Sequence, residues 1–350
     1  MACSQGVRLG MKMPCNVRVL QFLTITTFCF ASVSAQQPAI ATRVGRPVRV
    51  VSLSFSDKTL ETIRDIVDIE AAKGTDLIAL PETWRGQKDS PEMLDGPTVT
   101  AMAAIAKKHH TYIVCPIDRK EGNRRYNSAV LIDRNGKVVL VYNKVYPYWS
   151  EFDLGKPVDV GDQVTVYQAD FGRVGLATCF DVNFPAVWQQ LADQGAEVVV
   201  WPSAYSAGTS LQAHAINHHY YIVTSTGTRD CIVYDITGEE ILYQKNADIN
   251  VSRITLDLDR GIYHTNFNIS PRDRLLNEHS ADVMQEKWMD REQWFVLKAT
   301  HAGVSARDLA QQYGLEELRH YIDRSRREID KKRGWKFAEK VADTQVQVGR

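Results

Sequence analysis

The chain alternates runs of apolar, β-branched residues with stretches whose apolar positions recur at helical spacing. From Val48 onward it contains, in order, VRVVSLSF, KTLETIRDIVDIEAAKG, DLIALPE, TAMAAIAKKHH and TYIVCPI. The first, third and fifth stretches are nearly continuous apolar runs, which predicts strands buried on both faces, and the two between them predict amphipathic helices. This alternation is typical of α/β layering.

The same pattern returns in the second half of the chain. RYNSAVLID and KVVLVYNKVY first predict a hairpin that turns at Asn135-Gly136. A strand region TVYQADFGRVGLATCFD, a helix NFPAVWQQLADQG, a strand AEVVVWPSA, a helix LQAHAINHHYY and a strand YIVTSTG follow, and CIVYDITGEEIL predicts a closing hairpin at Thr237-Gly238. Two sheets, each with helices outside it, predict a four-layer α-β-β-α sandwich.

The pattern changes after Ile262. Residues 270–350 show no strand pattern, so we expect a helical C-terminal extension, with SADVMQEKWMDREQWFVLKATHAG as one helical stretch and a second that begins at Ser305 as N-cap. Apolar residues recur at helical spacing in the second stretch: Leu309, Tyr313, Leu315, Leu318, Tyr321, Ile322 and Ile329. Such a face has to be buried. We expect it to cross to the partner subunit of a homodimer or higher homo-oligomer, with packing on its own chain as the alternative.

Residues 1–35 have the layout of a secretory signal peptide. Arg8, Lys12 and Arg18 precede the apolar stretch VLQFLTITTFCFASVSA, which ends in a small-x-small site at Ala35. We expect cleavage after this alanine and export to the periplasm or the extracellular space, with no stable membrane anchor afterwards. A short membrane anchor is the alternative, although the apolar stretch is short for a span of about 20 residues.

The charge balance gives no indication of a nucleic-acid partner. Lys and Arg together number 42, and so do Asp and Glu, so the formal net charge is zero. The segment ARDLAQQYGLEELRHYIDRSRREI is similar to a helix-turn-helix, but acidic residues dilute its basic face and the signal peptide directs the chain away from the genome. We therefore expect a small-molecule partner and no nucleic acid.

The cysteines indicate neither a disulfide framework nor a metal site. Three of the six lie before Ala35, which leaves Cys115, Cys179 and Cys231. No CxxC or Cys/His cluster offers metal ligands, and we expect no metal and no cofactor. Cys115 and Cys231 lie in strand-like runs and are interpreted as buried small hydrophobic residues, with a disulfide between them as the alternative. Cys179 instead ends an apolar run in GLATCFDVNFP.

A cysteine nucleophile needs a base for its proton and a group that stabilises the developing negative charge. Glu82 emerges from the buried strand of LIALPETW, and Lys144 follows the strand of VLVYN. Taken alone, each is more typical of a solvated strand end. Together with Cys179 they become candidates for the base and the cation.

Three blocks in this order, LIALPETW, YNSAVLIDRNGKVVLVYNKVY and GLATCFDVNFP, resemble the signature blocks of the carbon-nitrogen hydrolase (nitrilase) superfamily. VDVGD, VVVWPSA and DITGEE add to the resemblance, which covers residues 49–262. It implies an α/β fold, the four-layer sandwich of the nitrilase type, with a hydrolase domain over 46–262 and the helical extension over 270–350.

The resemblance also implies roles for individual residues. Cys179 is then the nucleophile, Glu82 the general base and Lys144 the cation beside the oxyanion. Glu151, in WSEF, matches a second glutamate that supports the lysine and the attacking water. Three more residues are assigned to oxyanion or substrate binding: Phe180, Asn127 and Tyr148.

The residues after the cysteine indicate the branch of the superfamily. Nitrile-cleaving members tend to have Cys-Trp-Glu, whereas amidases and N-carbamoyl hydrolases have Cys-aromatic-Asp, as TCFD has here. This implies an amidase-like enzyme acting on a linear amide or ureido compound through a Glu-Lys-Cys triad. Nitrile hydrolysis, a non-catalytic amide-binding protein and a structural or assembly protein are the alternatives.

One helix departs from the pattern of the superfamily. The segment HAINHHYY has His214 and Asn217 where arginine and glutamate are usual, so this helix is expected to pack differently. His218 and His219 follow them. The pair either lines the substrate pocket or forms a polar rim.

Overall fold

The computed structural model describes residues 43–86, 91–153 and 157–335. The predicted signal peptide lies outside them, so cleavage and export stay predictions. The strands are β1 (Pro47–Ser54), β2 (Leu77–Ala79), β3 (Tyr112–Glu121), β4 (Arg124–Ile132), β5 (Val138–Asn143), β6 (Val166–Gln168), β7 (Arg173–Leu176), β8 (Val198–Ser203), β9 (Tyr221–Thr226), β10 (Asp230–Tyr234), β11 (Glu240–Lys245), β12 (Asn250–Asp257), β13 (Gly261–His264), β14 (Val283–Met289) and β15 (Trp294–Ala299). The helices are α1 (Leu60–Ala71), α2 (Pro97–His109), α3 (Ser150–Asp153), α4 (Pro185–Asp193), α5 (Thr209–His218), α6 (Thr265–Glu278), α7 (Ala306–Gln312) and α8 (Leu318–Arg333).

Two six-stranded sheets form the centre of the fold. Their strand orders are β12-β1-β2-β3-β4-β5 and β11-β10-β9-β8-β7-β6. In each sheet three neighbouring strands are parallel, β1, β2 and β3 in one and β7, β8 and β9 in the other. The predicted hairpin turns contain Gly136 and Gly238, whose φ angles of 75° and 80° favour glycine. The repeated order that the sequence predicts is therefore confirmed.

Alternating side chains of the parallel strands fill two different cores. In β2, Leu77 and Ala79 belong to the core between the sheets, whereas Ile78 belongs with Ile63 of α1 and Met102 of α2 to the core outside the first sheet. Both faces of these strands are buried, as their continuous apolar sequence predicts. With α4 and α5 on the other sheet, the chain forms the predicted four-layer sandwich.

Local sequence explains where the outer helices begin and which face they bury. Thr59 caps α1, its hydroxyl oxygen accepting a hydrogen bond from the backbone N of Thr62 at 3.2 Å. Ile63, Val67 and Ala71 recur every four residues along this helix, and all three are buried. This spacing turns one apolar face of α1 towards the sheet.

Buried hydroxyl groups join the two sheets along β1 and β9. Ser52 Oγ donates to the carbonyl oxygen of Thr224 at 2.6 Å, and Ser225 Oγ donates to the carbonyl oxygen of Leu53 at 2.5 Å. Each bond satisfies a polar group in the interior and fixes one sheet relative to the other.

Residues 283–299 correct the prediction of an all-helical extension. They form a hairpin of β14 and β15, which completes a three-stranded sheet of order β13-β15-β14. Phe295, Val296 and Leu297 of this hairpin are fully buried. A short apolar run in the sequence is compatible with either a buried strand or a buried helix. In the structure this run pairs with the free edge of β13 and is therefore a strand. Since β13 spans residue 262, the predicted domain boundary falls inside this sheet.

The helices after Ser305 pack on their own chain. Ser305 caps α7, as predicted, and its Oγ accepts a hydrogen bond from the backbone N of Asp308. In α8, Leu318 is buried in the core of the sandwich, and Arg319 Nη1 donates to the carbonyl oxygen of Ala196 at 3.1 Å. The described part of this segment thus buries Leu315 and Leu318 on its own chain and leaves Ile322 and Ile329 of the predicted face exposed, so an arm that crosses to a partner subunit stays a prediction. Assembly into a homodimer stays a prediction.

We expect Leu318→Ala to lower the free energy of unfolding by about 2–5 kcal/mol, because it empties a buried site. Ile322→Ala, at an exposed position of the same helix, is the matched control and should change it by less than about 0.5 kcal/mol. Urea unfolding at several protein concentrations measures both. A midpoint that rises with protein concentration in the parent chain but not in Leu318→Ala would contradict packing on its own chain.

Candidate active site

Three charged or nucleophilic residues follow the ends of strands from the two sheets. Glu82 comes shortly after β2, Lys144 directly after β5 and Cys179 shortly after β7. Strands β2 and β5 run in the same direction, so their carboxyl ends lie at one edge of the first sheet. The end of β7 in the second sheet faces that edge. In open α/β sheets this is the edge at which ligands bind.

Lys144 is the centre of the cluster and is only 1% exposed. Its Nζ donates to Glu82 Oε1 and to Glu151 Oε2, both at 2.8 Å. Burial alone would lower the pKa of Lys144, but the nearby Glu82, Cys179 and Glu151 outweigh it and raise this pKa above its ordinary value. Lys144 is therefore a fixed ammonium group at neutral pH.

The carboxylate of Glu82 is held at both oxygens. Oε1 accepts from Lys144 Nζ and from Asn127 Nδ2, the latter at 2.7 Å, and Oε2 accepts from the backbone N of Ala204 at 2.7 Å. Ala204 directly follows β8, so the second sheet fixes a carboxylate carried by the first. The side chain has little freedom to move away from Cys179.

Glu151 is oriented in a similar way. Its Oε2 accepts from Lys144 and from the backbone N of Tyr148 at 2.7 Å, and its Oε1 accepts from Asn127 Nδ2 at 2.8 Å. The structure thus brings the predicted second glutamate to the same ammonium group as Glu82. Two carboxylates share one cation.

Asn127 lies behind the two carboxylates and not on the wall of the cavity described below. It is buried, and its amide group donates one hydrogen bond to Glu82 and one to Glu151. Its Oδ1 has no hydrogen-bond partner among the described residues. The expected contact of Asn127 with substrate or oxyanion is thus replaced by a contact with the carboxylates, because both N–H donors are already in use.

Cys179 starts a single 3₁₀ turn, Cys179–Asn183, in a left-handed conformation with φ of 48°. Positive φ is uncommon for residues other than glycine and is concentrated at functional sites. Trp201 Nε1 donates to the carbonyl oxygen of Cys179 at 3.1 Å and holds this turn.

The thiol of Cys179 is within hydrogen-bonding reach of Glu82. Burial and then the charge of Glu82 raise the pKa of this thiol to about 12, against the opposing effect of Lys144. The resting group is therefore a neutral thiol, and it needs a base before it can act as a nucleophile.

A cavity of about 1360 Å³ opens above this cluster. Aromatic residues form part of its wall, including half-exposed Tyr148, whose ring meets that of Phe180 edge-on at 5.3 Å. Six of the seven predicted site residues line it: Glu82, Lys144, Tyr148, Glu151, Cys179 and Phe180. Its size and mixed lining suit a small organic ligand.

The two histidines at the end of α5 lie elsewhere. His218 and His219 line a small crevice beside α8, and neither borders the cavity above Cys179. Burial lowers the pKa of each to about 4, so both are neutral at pH 7. His214 contacts the carbonyl oxygen of Val182 through Nε2 at 2.9 Å, which joins this helix to the 3₁₀ turn; that it packs differently from the superfamily stays a prediction.

Sequence reasoning gives no role to three residues that shape the site, namely Asp181, Trp201 and Ala204. All three lie within blocks that carry the resemblance, TCFD and VVVWPSA. The blocks could have drawn attention to them, but the contacts they make depend on chain segments far away in sequence.

The remaining cysteines agree with their interpretation as buried small hydrophobic residues. Cys115 and Cys231 are buried and unbridged. Among the residues that the structure describes, no three His, Cys, Asp or Glu side chains are grouped as metal ligands would be. None of the described helices is both long enough and apolar enough to cross a membrane.

Comparison with known proteins identifies relatives for most of the sandwich. A sequence model of the carbon-nitrogen hydrolase family matches residues 35–263. A hydrolase of Schizosaccharomyces pombe is 26% identical over 251 residues, which are 62% of this chain and 76% of that protein. The deaminated glutathione amidase of Synechocystis is 29% identical over 201 residues, 49% of this chain and 72% of that enzyme.

The solved structures share the fold. An amidase from Nesterenkonia, in a cysteine-to-alanine form in complex with butyramide, matches with a TM-score of 0.55 and 20% identity over 63% of this chain and 94% of that one. The same amidase has been solved with the acetamide moiety of fluoroacetamide added covalently at its active-site cysteine, with a TM-score of 0.55, 20% identity and coverage of 62% and 93%. At these identities the likeness establishes the sandwich architecture.

The raised pKa of Cys179 predicts how its reactivity depends on pH. Iodoacetamide should alkylate Cys179 at a rate that changes little between pH 7 and 9 in the parent protein, because Glu82 takes the proton during attack. In Glu82→Gln the rate should be much lower at pH 7 and rise by about tenfold per pH unit, since the thiol must then ionise by itself. Intact-mass spectrometry follows the reaction, with Cys179→Ala as the control for the labelled site. A flat profile in Glu82→Gln would show that Glu82 is not the proton acceptor.

Proposed function

Because the chain belongs to the carbon-nitrogen hydrolase family, we propose that it hydrolyses the carbon-nitrogen bond of a small linear amide through a thioester on Cys179. The observation that supports this most directly is the buried ammonium of Lys144, held between two carboxylates and close to the thiol at the floor of one open cavity. The amidases among its relatives agree with this chemistry.

Acylation begins with the transfer of the thiol proton to Glu82. The sulfur of Cys179 then attacks the carbonyl carbon of the amide, and the carbonyl oxygen becomes an oxyanion. Glu82 is suited to this transfer because its two oxygens are fixed by donors from both sheets while the thiol remains within reach. When the tetrahedral intermediate collapses, Glu82 returns the proton to the departing amine.

The oxyanion needs a positive group that is already in place. An ammonium group has three protons, and Lys144 donates two of them to Glu82 and Glu151, which leaves one for the substrate oxygen. The backbone N–H of Phe180, the residue after the nucleophile, is the second proposed donor. Both groups border the cavity above Cys179.

Deacylation uses the same groups in reverse. Glu82, free of its proton once the amine has left, removes a proton from a water molecule, which attacks the thioester and releases the acid and the thiol. Glu151 supports this step by holding Lys144 in place and by offering a second carboxylate at the cavity wall. Asn127 positions both carboxylates from behind.

The substrate class follows from the chemistry of the turn and of the cavity. Cys179-Phe180-Asp181 has the Cys-aromatic-Asp pattern of amide-cleaving branches. A deaminated glutathione amidase and the omega-amidase of Homo sapiens, 24% identical over 46% of this chain and 65% of that enzyme, are among the relatives. We infer an amide or ureido compound whose carbon chain lies along the aromatic wall of Trp84, Tyr148 and Tyr205.

We expect Cys179→Ala and Glu82→Gln each to lower kcat by at least about 1000-fold, because no neighbouring group can replace the nucleophile or the base. Lys144→Ala should lose nearly as much. Cys115→Ala, which removes a buried cysteine outside the site, is the matched control and should retain activity. Ammonia release measures turnover, and circular dichroism checks folding. More than a few per cent of parental activity in Cys179→Ala would exclude the thioester route.

A panel of linear amides, ureido acids and nitriles tests the substrate class. We expect ammonia release from amides or ureido acids to exceed release from nitriles of the same carbon chain, because TCFD matches the amide-cleaving pattern. Faster turnover of nitriles would favour a nitrilase. Calorimetric binding of amides without turnover or acylation of Cys179 would favour a non-catalytic amide-binding protein.

A further inference from the structure

Asp181 is a fully buried carboxylate two residues after the nucleophile, and it forms no salt bridge within the described part of the chain. Its Oδ2 accepts hydrogen bonds from the hydroxyl of Tyr142 at 2.7 Å and from the backbone N of Thr178 at 2.8 Å. Its Oδ1 accepts from the backbone N of Tyr146 at 2.9 Å. Three neutral donors thus surround a group that is normally expensive to bury.

These donors come from the two segments that carry the reacting groups. Thr178 directly precedes Cys179, whereas Tyr142 and Tyr146 lie two residues before and two residues after Lys144. The carboxylate therefore connects the 3₁₀ turn to the segment of Lys144 with bonds on both sides of the lysine. The carbonyl oxygen of Asp181 also accepts from Trp188 Nε1 at 3.0 Å, which ties the turn to α4.

We propose that Asp181 is a positioning residue that sets the sulfur of Cys179 against the ammonium of Lys144, an inference that rests on the proposed function. Two of its donors, Tyr142 and Tyr146, lie in β5 or just after it, and the third, Thr178, directly precedes the turn of Cys179. A small shift between these segments would change the distance over which the oxyanion is stabilised. Displacement of reacting groups by about 1 Å can reduce a rate by about 100-fold.

An amide at this position cannot reproduce the contacts. In Asp181→Asn, whichever atom of the carboxylate is replaced by NH₂ would face a backbone N–H, either that of Thr178 or that of Tyr146. One of the two segments therefore loses its bond. Tyr142→Phe removes a single donor and leaves both backbone bonds in place.

The effect of burial on the carboxyl group of Asp181 distinguishes a role in positioning the reacting groups from a role in stabilising the fold. Burial outweighs the hydrogen bonds and raises the pKa of Asp181 to about 6, above that of an aspartate in the unfolded chain. A carboxyl group with a raised folded-state pKa favours folding when protonated, and this contribution is lost as the pH rises through about 6. At pH 8 the charge of Asp181 therefore does not stabilise the fold, and any loss of stability in Asp181→Asn comes from the lost hydrogen bond rather than from the lost charge.

The test compares Asp181→Asn and Tyr142→Phe with a matched control, Asp259→Asn. Asp259 is also buried, its pKa is also raised by burial, and it accepts bonds from Ser305 Oγ and the backbone N of Ala306, far from the cavity. The readouts are kcat and KM for the amide turned over fastest by the parent protein, and the rate of Cys179 alkylation by iodoacetamide.

We expect Asp181→Asn to lower kcat by about 10- to 100-fold with KM within about twofold, and Tyr142→Phe to lower kcat by about three- to tenfold. Asp259→Asn should keep kcat within about twofold. The proposal is overturned if Tyr142→Phe and a folded Asp181→Asn both retain parental kcat and alkylation rates, or if Asp259→Asn loses as much as they do. Should Asp181→Asn not fold, Tyr142→Phe decides alone. Failure of the proposed function would appear separately, as amide turnover in Cys179→Ala.

Discussion

The buried ammonium group of Lys144 is the constraint on which the site depends. A charge with almost no exposure to water is stable only beside opposite charge and with its hydrogen bonds satisfied. Glu82 and Glu151 supply both, each at 2.8 Å. Their own excess negative charge is met by neutral donors, Asn127 between them and the backbone of Tyr148 and Ala204 outside them. The two carboxylates are therefore fixed around the ammonium group by hydrogen bonds from several chain segments.

The sandwich makes this network available because it places strand ends from two sheets against each other. The cation and one carboxylate emerge from the first sheet, and the nucleophile emerges from the second. Contacts across the gap, such as that of Ala204 with Glu82, bring the two halves into register. Buried serines on β1 and β9 fix the same register in the interior, far from the chemistry. The relative positions of the reacting groups therefore depend on how the two sheets of the domain pack together.

The central sandwich could be predicted from the sequence because local signals agree with the final structure. Continuous apolar runs became strands buried on both faces, and Gly136 and Gly238 became hairpin turns. The hairpin of β14 and β15 could not be predicted in this way, since its strand conformation depends on pairing with β13 about 30 residues earlier.

Glu82, Lys144 and Cys179 could be suggested as a group because each is a charged or nucleophilic residue near the end of a predicted buried strand. The structure brings them together. The position of Asn127 was not accessible from the sequence. The amide of Asn127 on β4 contacts two carboxylates rather than a ligand because the segments that carry Glu82 and Glu151, distant in sequence, place their side chains beside it. The same holds for Asp181, because two of its three donors, Tyr142 and Tyr146, come from β5 of the other sheet and the residues just after it.

The neutral resting state of Cys179 also affects how the protein withstands oxidation. Peroxides and disulfides react with thiolates far faster than with thiols. Cys179 is 6% exposed and the pKa of its thiol is raised to about 12, so almost no thiolate is present until a proton is removed during attack. Oxidation to a sulfenic acid or a mixed disulfide therefore needs the same proton transfer to Glu82 as alkylation and acylation do. The reactions of this buried thiol with oxidants and with substrate thus share one requirement, a general base.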